Sequence, residues 1–335
     1  MDVGKWPIST QFEEITKLTE FDFNSQTTET RWAVEPLFPL GQLDVVLAQA
    51  GVGKSLIVEA LACHVVHEVP FGGFTTNFGD VLIIDQDTPT DVLSKRLIKF
   101  GRGLNCEQKH RLFVESMKNY TLGDGTLITL IQDYPTVVLI IIDSLHSVLG
   151  RLNPNSSGDM NYWARFKAEC ISTGRTVLLN HHITEKVGYT LEQLMSGNPH
   201  SFAMGSSAVI QQADTYYIIG ASAENGITNR LYIRPIAKRV AVRSTPFIFQ
   251  IVQPAPDSER FEFFGDYVVN FSEVETDCMT LFQQYPSDRT VKEVYENMGQ
   301  KHGIIAVREA LSSLHQKGYL VLSRHKSNLF KYRLP

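Results

Sequence analysis

The sequence predicts an α/β fold with a mainly parallel sheet, followed by a small C-terminal domain of helices and two short strands. Over residues 36–264, short apolar runs alternate with helical patterns, which is typical of βα units around a parallel sheet. A glycine-rich motif at residues 48–55 stands between an apolar run and a helical pattern, the setting of a phosphate-binding loop. The chain has 335 residues, of which 43% are apolar and 20% charged. This composition supplies a core and excludes intrinsically disordered and fibrous chains.

Seven apolar runs are the predicted strands of the sheet. They are residues 43–48, 81–85, 137–142, 176–180, 215–219, 231–236 and 247–252. The last three follow one another without room for helices, so we expect the sheet to finish with antiparallel strands. The segment 252–266 is rich in proline and charge, and it predicts a linker or an edge of the sheet.

The C-terminal segment has a different pattern and a different charge. Three helical patterns, near 273–284, 290–297 and 303–317, precede two β-like runs, which is the element order of a winged helix-turn-helix domain. The net charge of −5 is the sum of −11 over the first 288 residues and +6 over the rest. A basic tail on an acidic body favours a nucleic-acid partner for the tail.

The changes of sequence pattern along the chain predict three parts. They are an N-terminal arm at 1–35, an α/β core at 36–266 and a winged helix-turn-helix domain at 267–335.

Cysteine spacing and hydropathy predict the compartment. The four cysteines are far apart and form no C-x-x-C pair, so we expect buried thiols and a reducing cytoplasm. The longest aliphatic run, residues 137–142, is far shorter than a bilayer span. The first ten residues lack the pattern of a secretory signal. We therefore expect a cytoplasmic protein that does not enter a membrane.

The motif A-Q-A-G-V-G-K-S at 48–55 predicts a P-loop, with Ala48 where the pattern has its first glycine. Its glycines let successive backbone N–H groups surround a phosphate, and the positive end of the following helix adds to the attraction. Lys54 would reach the β- and γ-phosphates of ATP, and Ser55 would hold Mg²⁺. The expected cofactor-binding residues are Gly51, Val52, Gly53, Lys54, Ser55 and Leu56.

Polar residues follow three of the predicted strands. Asp143 ends the apolar run at 137–142, where it would hold the Mg²⁺ shell or, alternatively, cap the following turn. Asp85 and Asp87 follow residues 81–84 with a spacing that puts both on the same face of an extended strand, so both are candidates for the general base. Asn180-His181-His182 ends another strand and offers a side chain to the γ-phosphate. Neighbouring histidines on a strand point oppositely and cannot chelate one ion together.

In this order, the motifs resemble the RecA-like ATPase core of hexameric replicative helicases, and within that family the plasmid RepA type most closely. The resemblance covers roughly residues 32–252. It begins at V-E-P-L-F-P-L-G-Q (34–42) and continues in V-L-I-I-D-Q-D-T-P (81–89) followed by Arg96-Leu97. The catalytic glutamate of the family falls on Asp87, which is one methylene shorter, and its γ-phosphate sensor falls on His182.

The resemblance also implies an assembly. M-G-S-S-A-V-I-Q-Q-A-D (204–214) is similar to the family's Gly-Ser segment, and Lys238 and Arg239 stand where the family presents basic fingers to a neighbouring subunit, with Arg243 a third candidate. It therefore implies a hexameric homo-oligomer whose loops, 149–160 and 184–204, line a channel for single-stranded DNA. These loops contain only two basic residues, Arg151 and Lys186. The implied activity is that of an Mg²⁺-dependent ATPase and helicase in replication of a plasmid or other mobile element.

The basic residues of the tail are the expected contacts to duplex DNA, through phosphates rather than bases. Two would come from the third helix and four from the wing; they are Arg308, Lys317, Arg324, Lys326, Lys331 and Arg333. The alternatives are a solvated basic face and a surface for protein contacts.

Two other functions are compatible with the sequence. One is a switch ATPase that docks on DNA through its tail and does not translocate, as in regulators or recombination mediators. The other is a nucleotide-binding module with weak hydrolysis, which Ala48 and the short acid at Asp87 favour.

Overall fold

The computed structural model describes residues 30–153, 160–183, 189–196, 212–221, 229–237, 242–267, 271–317, 319–324 and 330–334. The chain divides into two compact units, Met1–Thr30 and Arg31–Pro335, and apart from Thr30 the described residues belong to the second. The predicted arm at 1–35 lies almost wholly outside the described residues. Among the residues that are described, no helix is long and apolar enough to cross a membrane.

The strands and helices of the described chain are numbered in chain order. The strands are β1 (Trp32–Val34), β2 (Phe38–Pro39), β3 (Leu43–Ala48), β4 (Asp80–Asp85), β5 (Leu112–Ser116), β6 (Val137–Asp143), β7 (Thr176–His182), β8 (Thr215–Ala221), β9 (Arg230–Ala237), β10 (Phe247–Val252), β11 (Arg260–Asp266), β12 (Val321–Arg324) and β13 (Phe330–Arg333). The helices are α1 (Lys54–His67), α2 (Thr90–Leu104), α3 (Thr126–Gln132), α4 (Leu145–Leu149), α5 (Met160–Ser172), α6 (Leu191–Ser196), α7 (Glu273–Gln284), α8 (Val291–Asn297) and α9 (Ile304–Gln316).

In the described part of the chain, nine strands form one sheet in the order β11-β10-β9-β8-β3-β7-β6-β4-β5. The strands from β8 to β5 in this order pair in parallel, and β8 to β11 pair antiparallel. This confirms the predicted α/β class with a mainly parallel sheet and an antiparallel finish. β3 and β6 lie inside the sheet, and apart from Asp44 in β3 and the terminal Asp143 of β6 their residues are apolar, as suits strands covered on both faces.

All seven predicted strands are present, with ends that differ by at most two residues. The segment 252–266 was expected to be a linker or a sheet edge, and its second half is the edge strand β11. β5 was not predicted from the sequence, and its five residues are mostly half-buried at the opposite edge. An edge strand of this kind lacks the long apolar run that marks a central strand.

Two apolar clusters pack against the two faces of the sheet. One lies beneath α1 and includes Val46, Ile83 and Ile141. The other lies on the opposite face and includes Trp163 and Phe166 of α5. Both faces of the central strands are therefore covered, and a ligand can reach the polar groups at the carboxyl ends of the strands.

A buried polar network fixes the strand that leads into the P-loop. The ammonium group of Lys167 lies 2.7 Å from Oδ1 of Asp214 and donates to the carbonyl of Gln212 at 2.6 Å. The other carboxylate oxygen of Asp214 accepts a hydrogen bond from the backbone N–H of Leu43 at 3.0 Å. α5, the start of β3 and the residue before β8 are thereby held together.

The segment 271–334 has its own apolar cluster, formed by α7, α8, α9 and the β12–β13 hairpin around Phe282, Val294 and Leu311. Tyr332 of β13 also pairs with Arg289 in an isolated antiparallel bridge. Three helices followed by a hairpin is the predicted element order, and the assignment to the winged helix-turn-helix class stays a prediction.

This segment contacts α6. The hydroxyl of Ser196 donates to the carbonyl of Lys317, and the ammonium group of Lys317 lies 3.9 Å from a carboxylate oxygen of Glu192. α6 lies within the segment 184–204 that was predicted as a channel loop, so part of that segment is a helix, and this helix is joined to the C-terminal segment.

Candidate nucleotide-binding site

The loop between β3 and α1 has the geometry of an anion site. Gly51 and Gly53 have φ angles of 75° and 106°, which suit glycine and are costly for other residues. Gly53 is also the N-cap of α1, where no side chain among the described residues caps the helix and no acid lies in the first turn. The first N–H groups of the helix lack helical acceptors, so the positive end of α1 is open to an anion.

The strand register brings the predicted polar residues to one edge of the sheet. Asp85 at the end of β4 lies opposite Asp143 at the end of β6. Ala48 at the end of β3 lies opposite His182 at the end of β7. The P-loop and the three predicted polar positions are therefore neighbours at the carboxyl edge.

Asp85, Asp143 and His182 also share one face of the sheet. The apolar residues that precede them at even spacing belong to the cluster beneath α1; they are Ile83, Ile141 and Leu178. Side chains two residues apart on a strand face the same way, so the three polar side chains face α1, and His181 faces the other side. This agrees with the expectation that the two histidines diverge.

The two candidate acids have different environments. Oδ1 of Asp85 accepts hydrogen bonds from the backbone N–H groups of Asp87 at 2.9 Å and Thr88 at 2.7 Å. Asp85 is 1% exposed, and its burial, together with the nearby charge of Asp143, raises the pKa of its carboxyl above the ordinary value. Asp85 therefore closes the turn that follows β4.

Asp87 is exposed, and its Oδ2 accepts a hydrogen bond of 2.9 Å from the hydroxyl of Ser144. The expectation that Asp85 and Asp87 face the same way assumed a strand through both residues, but β4 ends at Asp85 and Asp87 lies in the turn. Strand alternation does not extend into a turn. Of the two acids, Asp87 is the one whose carboxylate is accessible to water.

One buried acid behind this edge was not identified from the sequence. Glu59 of α1 is 2% exposed, and its carboxylate lies 3.2 Å from the guanidinium group of Arg96 on α2. Burial, opposed by the charge of Arg96 and assisted by the charges of Asp143 and Asp85, raises the pKa of Glu59 to about 8. The available signal was an acid within the otherwise apolar run I-V-E-A-L-A.

The amide of Asn180, fully buried two residues before His182, makes no hydrogen bond within the described chain. It lies opposite Val46 of β3 and on the face of the sheet that α1 covers.

Several predicted residues lie outside the described residues: Lys238, Arg239 and Lys326, together with most of the two channel loops. The backbone of Arg324 is part of β12. Arg243, the third candidate finger, forms an ion pair with Asp266 and lies over the ring of Phe263, 5.5 Å from its centroid.

The described basic residues of the C-terminal segment differ in accessibility. Arg308 and Arg333 are exposed and Lys331 is half-buried. The ammonium group of Lys317 lies 2.9 Å from the buried carboxylate of Glu275, and only 12% of the Lys317 side chain is exposed. We therefore do not retain Lys317 among the proposed DNA contacts, because its charge is neutralised within the protein.

A parallel sheet with a glycine-rich loop and an uncapped helix at its carboxyl edge defines a P-loop nucleotide-binding domain. The model of the AAA domain family matches residues 9–187, slightly more than half of the chain. The chain belongs to this family, the AAA-type P-loop ATPases. No curated protein matches the chain.

The residues at this edge fit a magnesium nucleotide. The open N-terminus of α1 and the buried Lys54 suit phosphates. The hydroxyl of Ser55 and the carboxylate of Asp143 are hard oxygen ligands of the kind that Mg²⁺ prefers. Ser55 is half-buried and Asp143 is 6% exposed.

Proposed function

We propose that this protein is an Mg²⁺-dependent ATPase of the RecA-like hexameric helicase type, close to the plasmid RepA type. It would act on DNA in replication of a plasmid or other mobile element. The observation that carries the proposal is the convergence of the uncapped α1, the Asp143 carboxylate and the Asp87 carboxylate at one edge of a parallel sheet. Phosphoryl transfer to water needs these three elements: an anion cradle, a metal ligand and a base.

The residues of the nucleotide-binding site have separate roles in ATP hydrolysis. The backbone N–H groups at residues 51–56 and the ammonium group of Lys54 bind the phosphates. Asp87 orients a water molecule toward the γ-phosphorus and accepts its proton, while the bond from the γ-phosphorus to the β–γ bridging oxygen breaks. Mg²⁺, held by Ser55 and Asp143, would neutralise charge on the β- and γ-phosphates. The products are ADP and inorganic phosphate.

His182 would sense the γ-phosphate, and Lys238 or Arg239 would complete the site of a neighbouring subunit in a hexameric ring. His182 faces α1 at the end of β7, beside the P-loop. α6 follows nine residues later and contacts the C-terminal segment through Ser196. Loss of the γ-phosphate could therefore move both the channel residues and the C-terminal segment.

The C-terminal segment would bind duplex DNA as a winged helix-turn-helix domain. The exposed Arg308 lies on α9, which is in the position of a recognition helix, and the exposed Arg333 lies on the hairpin. Contacts of this type go to phosphates and hold the protein on the duplex.

A second candidate is the switch ATPase that does not translocate. It is favoured by the contact between α6 and Lys317, since this contact can pass the nucleotide state to a DNA-docked domain without movement along DNA. It is also favoured by the small number of basic residues in the two channel loops.

A strand-displacement assay with ATP and a forked duplex distinguishes these functions. A helicase separates the strands with ATP and Mg²⁺, and Lys54→Ala removes this activity. Hydrolysis that is stimulated by duplex DNA without strand separation would contradict the helicase proposal and support the switch. Deletion of residues 267–335 distinguishes the two functions further. A translocating enzyme without this segment should still show ATP hydrolysis stimulated by single-stranded DNA, because translocation needs only the core.

A further inference from the structure

Glu59 is a buried acid in an apolar helix, and nucleotide binding by the P-loop does not require it. It lies one turn after Ser55, and residues four apart in a helix lie on the same side. Its neighbours Val58 and Ala60 are buried and apolar. Neither carboxylate oxygen makes a hydrogen bond with the described residues, and the ion pair with Arg96 at 3.2 Å is its closest charge contact in that part of the chain.

Arg96 joins Glu59 to the turn that contains Asp87. The same nitrogen, Nη2 of Arg96, lies 3.2 Å from Glu59 Oε1 and donates a hydrogen bond of 3.1 Å to the hydroxyl of Thr88. Thr88 is the residue directly after Asp87. A chain of contacts therefore runs from the P-loop helix through α2 to the neighbour of the proposed base.

Thr88 is held from two other sides as well. Its backbone N–H donates to Asp85 at 2.7 Å, and its carbonyl accepts a hydrogen bond of 2.7 Å from the hydroxyl of Ser116. The side chain of Thr88 also hydrogen-bonds the carboxylate of Asp85, and the contact with Arg96 holds its hydroxyl from the side of α2.

We propose that Glu59 and Arg96 are positioning residues for the Asp87 carboxylate, acting through Thr88. This inference rests on the proposed ATPase function and on Asp87 as its base. Glu59 orients the guanidinium group, Arg96 holds Thr88, and the turn keeps Asp87 at the carboxyl edge beside Ser144.

The chemistry of the pair supports a positioning role over a purely stabilising one. A buried ion pair adds little to stability compared with apolar residues of similar size. Burial works against the ionised carboxylate, as the raised pKa of Glu59 shows. Arginine carries donors in a fixed planar fork and can hold a carboxylate and a hydroxyl in a defined geometry, which the ammonium group of a lysine does less well.

The test compares steady-state ATP hydrolysis by the full-length wild type, Arg96→Lys, Thr88→Val and the double variant. Arg96→Lys keeps a positive charge for Glu59, and Thr88→Val removes only the hydroxyl. Because a displacement of about 1 Å can cost about 10²-fold in rate, we expect each single variant to lower kcat by about tenfold or more. The Kd for a fluorescent ATP analogue should change by less than about threefold, and the double variant should be no slower than the slower single variant, since both break one contact.

Lys99→Gln is the matched control. Lys99 is also on α2 and forms an ion pair with Glu259 at 3.3 Å, but it does not contact the turn at 85–88. The kcat of Lys99→Gln should equal that of the wild type. Glu59→Leu, which removes both acceptor oxygens and keeps a similar size, should lower kcat as Arg96→Lys does, and thermal melting of each variant shows whether it is folded.

Three results would overturn the inference. The first is a wild-type kcat in folded Arg96→Lys and Thr88→Val. The second is a loss of affinity for the ATP analogue equal to the loss of kcat/KM, which would mean that Arg96 contacts the nucleotide itself. The third is a double variant whose loss of kcat equals the combined losses of the two single variants. If the wild type does not hydrolyse ATP, the proposed function fails as well, whereas active but insensitive variants refute only the positioning role.

Discussion

The hydroxyl of Ser144 donates a hydrogen bond of 2.9 Å to Oδ2 of Asp87. Ser144 directly follows Asp143 at the end of β6, and Asp87 lies two residues after the end of β4. The backbone N–H of Gln86 also donates to the carbonyl of Asp143 at 2.9 Å. The proposed metal ligand and the proposed base are thus held together by contacts between adjacent strand ends.

Asp87→Asn should lower kcat for ATP hydrolysis by about 10²-fold or more, because an amide cannot accept the proton of the attacking water. The Kd for an ATP analogue and the melting temperature should stay close to those of the wild type, since Asp87 is exposed. Stopped assays with radiolabelled ATP measure the residual rate.

Asp85→Ala is the contrasting variant. Asp85 accepts two backbone hydrogen bonds in the turn, so its loss should lower the free energy of unfolding by about 2 kcal/mol. If Asp87→Asn kept the wild-type rate, the assignment of the base to Asp87 would be wrong.

The buried His64 should lower the free energy of unfolding of the protein in acid. Burial lowers the pKa of His64 to about 4 from 6.5, so between these values the unfolded chain binds a proton that the folded chain does not. The stabilisation from neutral His64 is complete above pH 6.5 and decreases as the pH falls toward 4, by about 3 kcal/mol in total. Urea unfolding of the wild type and of His64→Gln at pH 7.0 and 4.5 measures this difference.

The stability of the wild type should approach that of His64→Gln as the pH falls, since glutamine does not titrate in this range. Equal changes in the free energy of unfolding for the two proteins would show that His64 is protonated in the folded state.

Lys167→Met should lower the free energy of unfolding by about 3–5 kcal/mol, because it removes the ammonium group that pairs with the buried carboxylate of Asp214. Lys95→Met is the control. Lys95 pairs with Asp91 at 3.6 Å, but both side chains are more than 70% exposed, so its loss should cost no more than about 0.5 kcal/mol. Chemical denaturation measures both, and similar values for the two variants would contradict the role of Lys167.

Arg308→Gln and Arg333→Gln should each weaken binding to duplex DNA and reduce the slope of log K against log salt by about 1. Lys317→Gln should leave this slope unchanged and lower the melting temperature, because it removes the partner of the buried Glu275. Fluorescence anisotropy with a labelled duplex at several salt concentrations measures the slope. The opposite pattern, with only Lys317→Gln reducing the slope, would refute the proposed DNA surface.

Features that depend on local sequence patterns could be predicted from the sequence. The P-loop motif marked the apolar run before it as a strand, although Asp44 interrupts that run, and the unbroken apolar run before Asp143 predicted β6 because it suits a strand buried on both faces. The parallel order of β3, β7, β6 and β4 then brought the polar ends together, as expected for an α/β sheet.

Features that depend on distant contacts could not be predicted in this way. Asp85 and Asp87 looked equivalent because the point at which β4 ends depends on the turn and not on the strand pattern. Lys317 resembled a DNA contact because its partner Glu275 is 42 residues away. The pair between Glu59 and Arg96 joins two helices, and no local spacing indicates it.

The most direct test of the account is ATP hydrolysis by the wild type and Lys54→Ala with and without Mg²⁺, with Lys99→Gln as a folded control. We expect turnover by the wild type and Lys99→Gln that requires Mg²⁺, and a rate at least about 10²-fold lower for a folded Lys54→Ala, since this removes the cation that reaches the transferred phosphate. Absence of turnover in the wild type, or equal turnover in Lys54→Ala, would contradict the account.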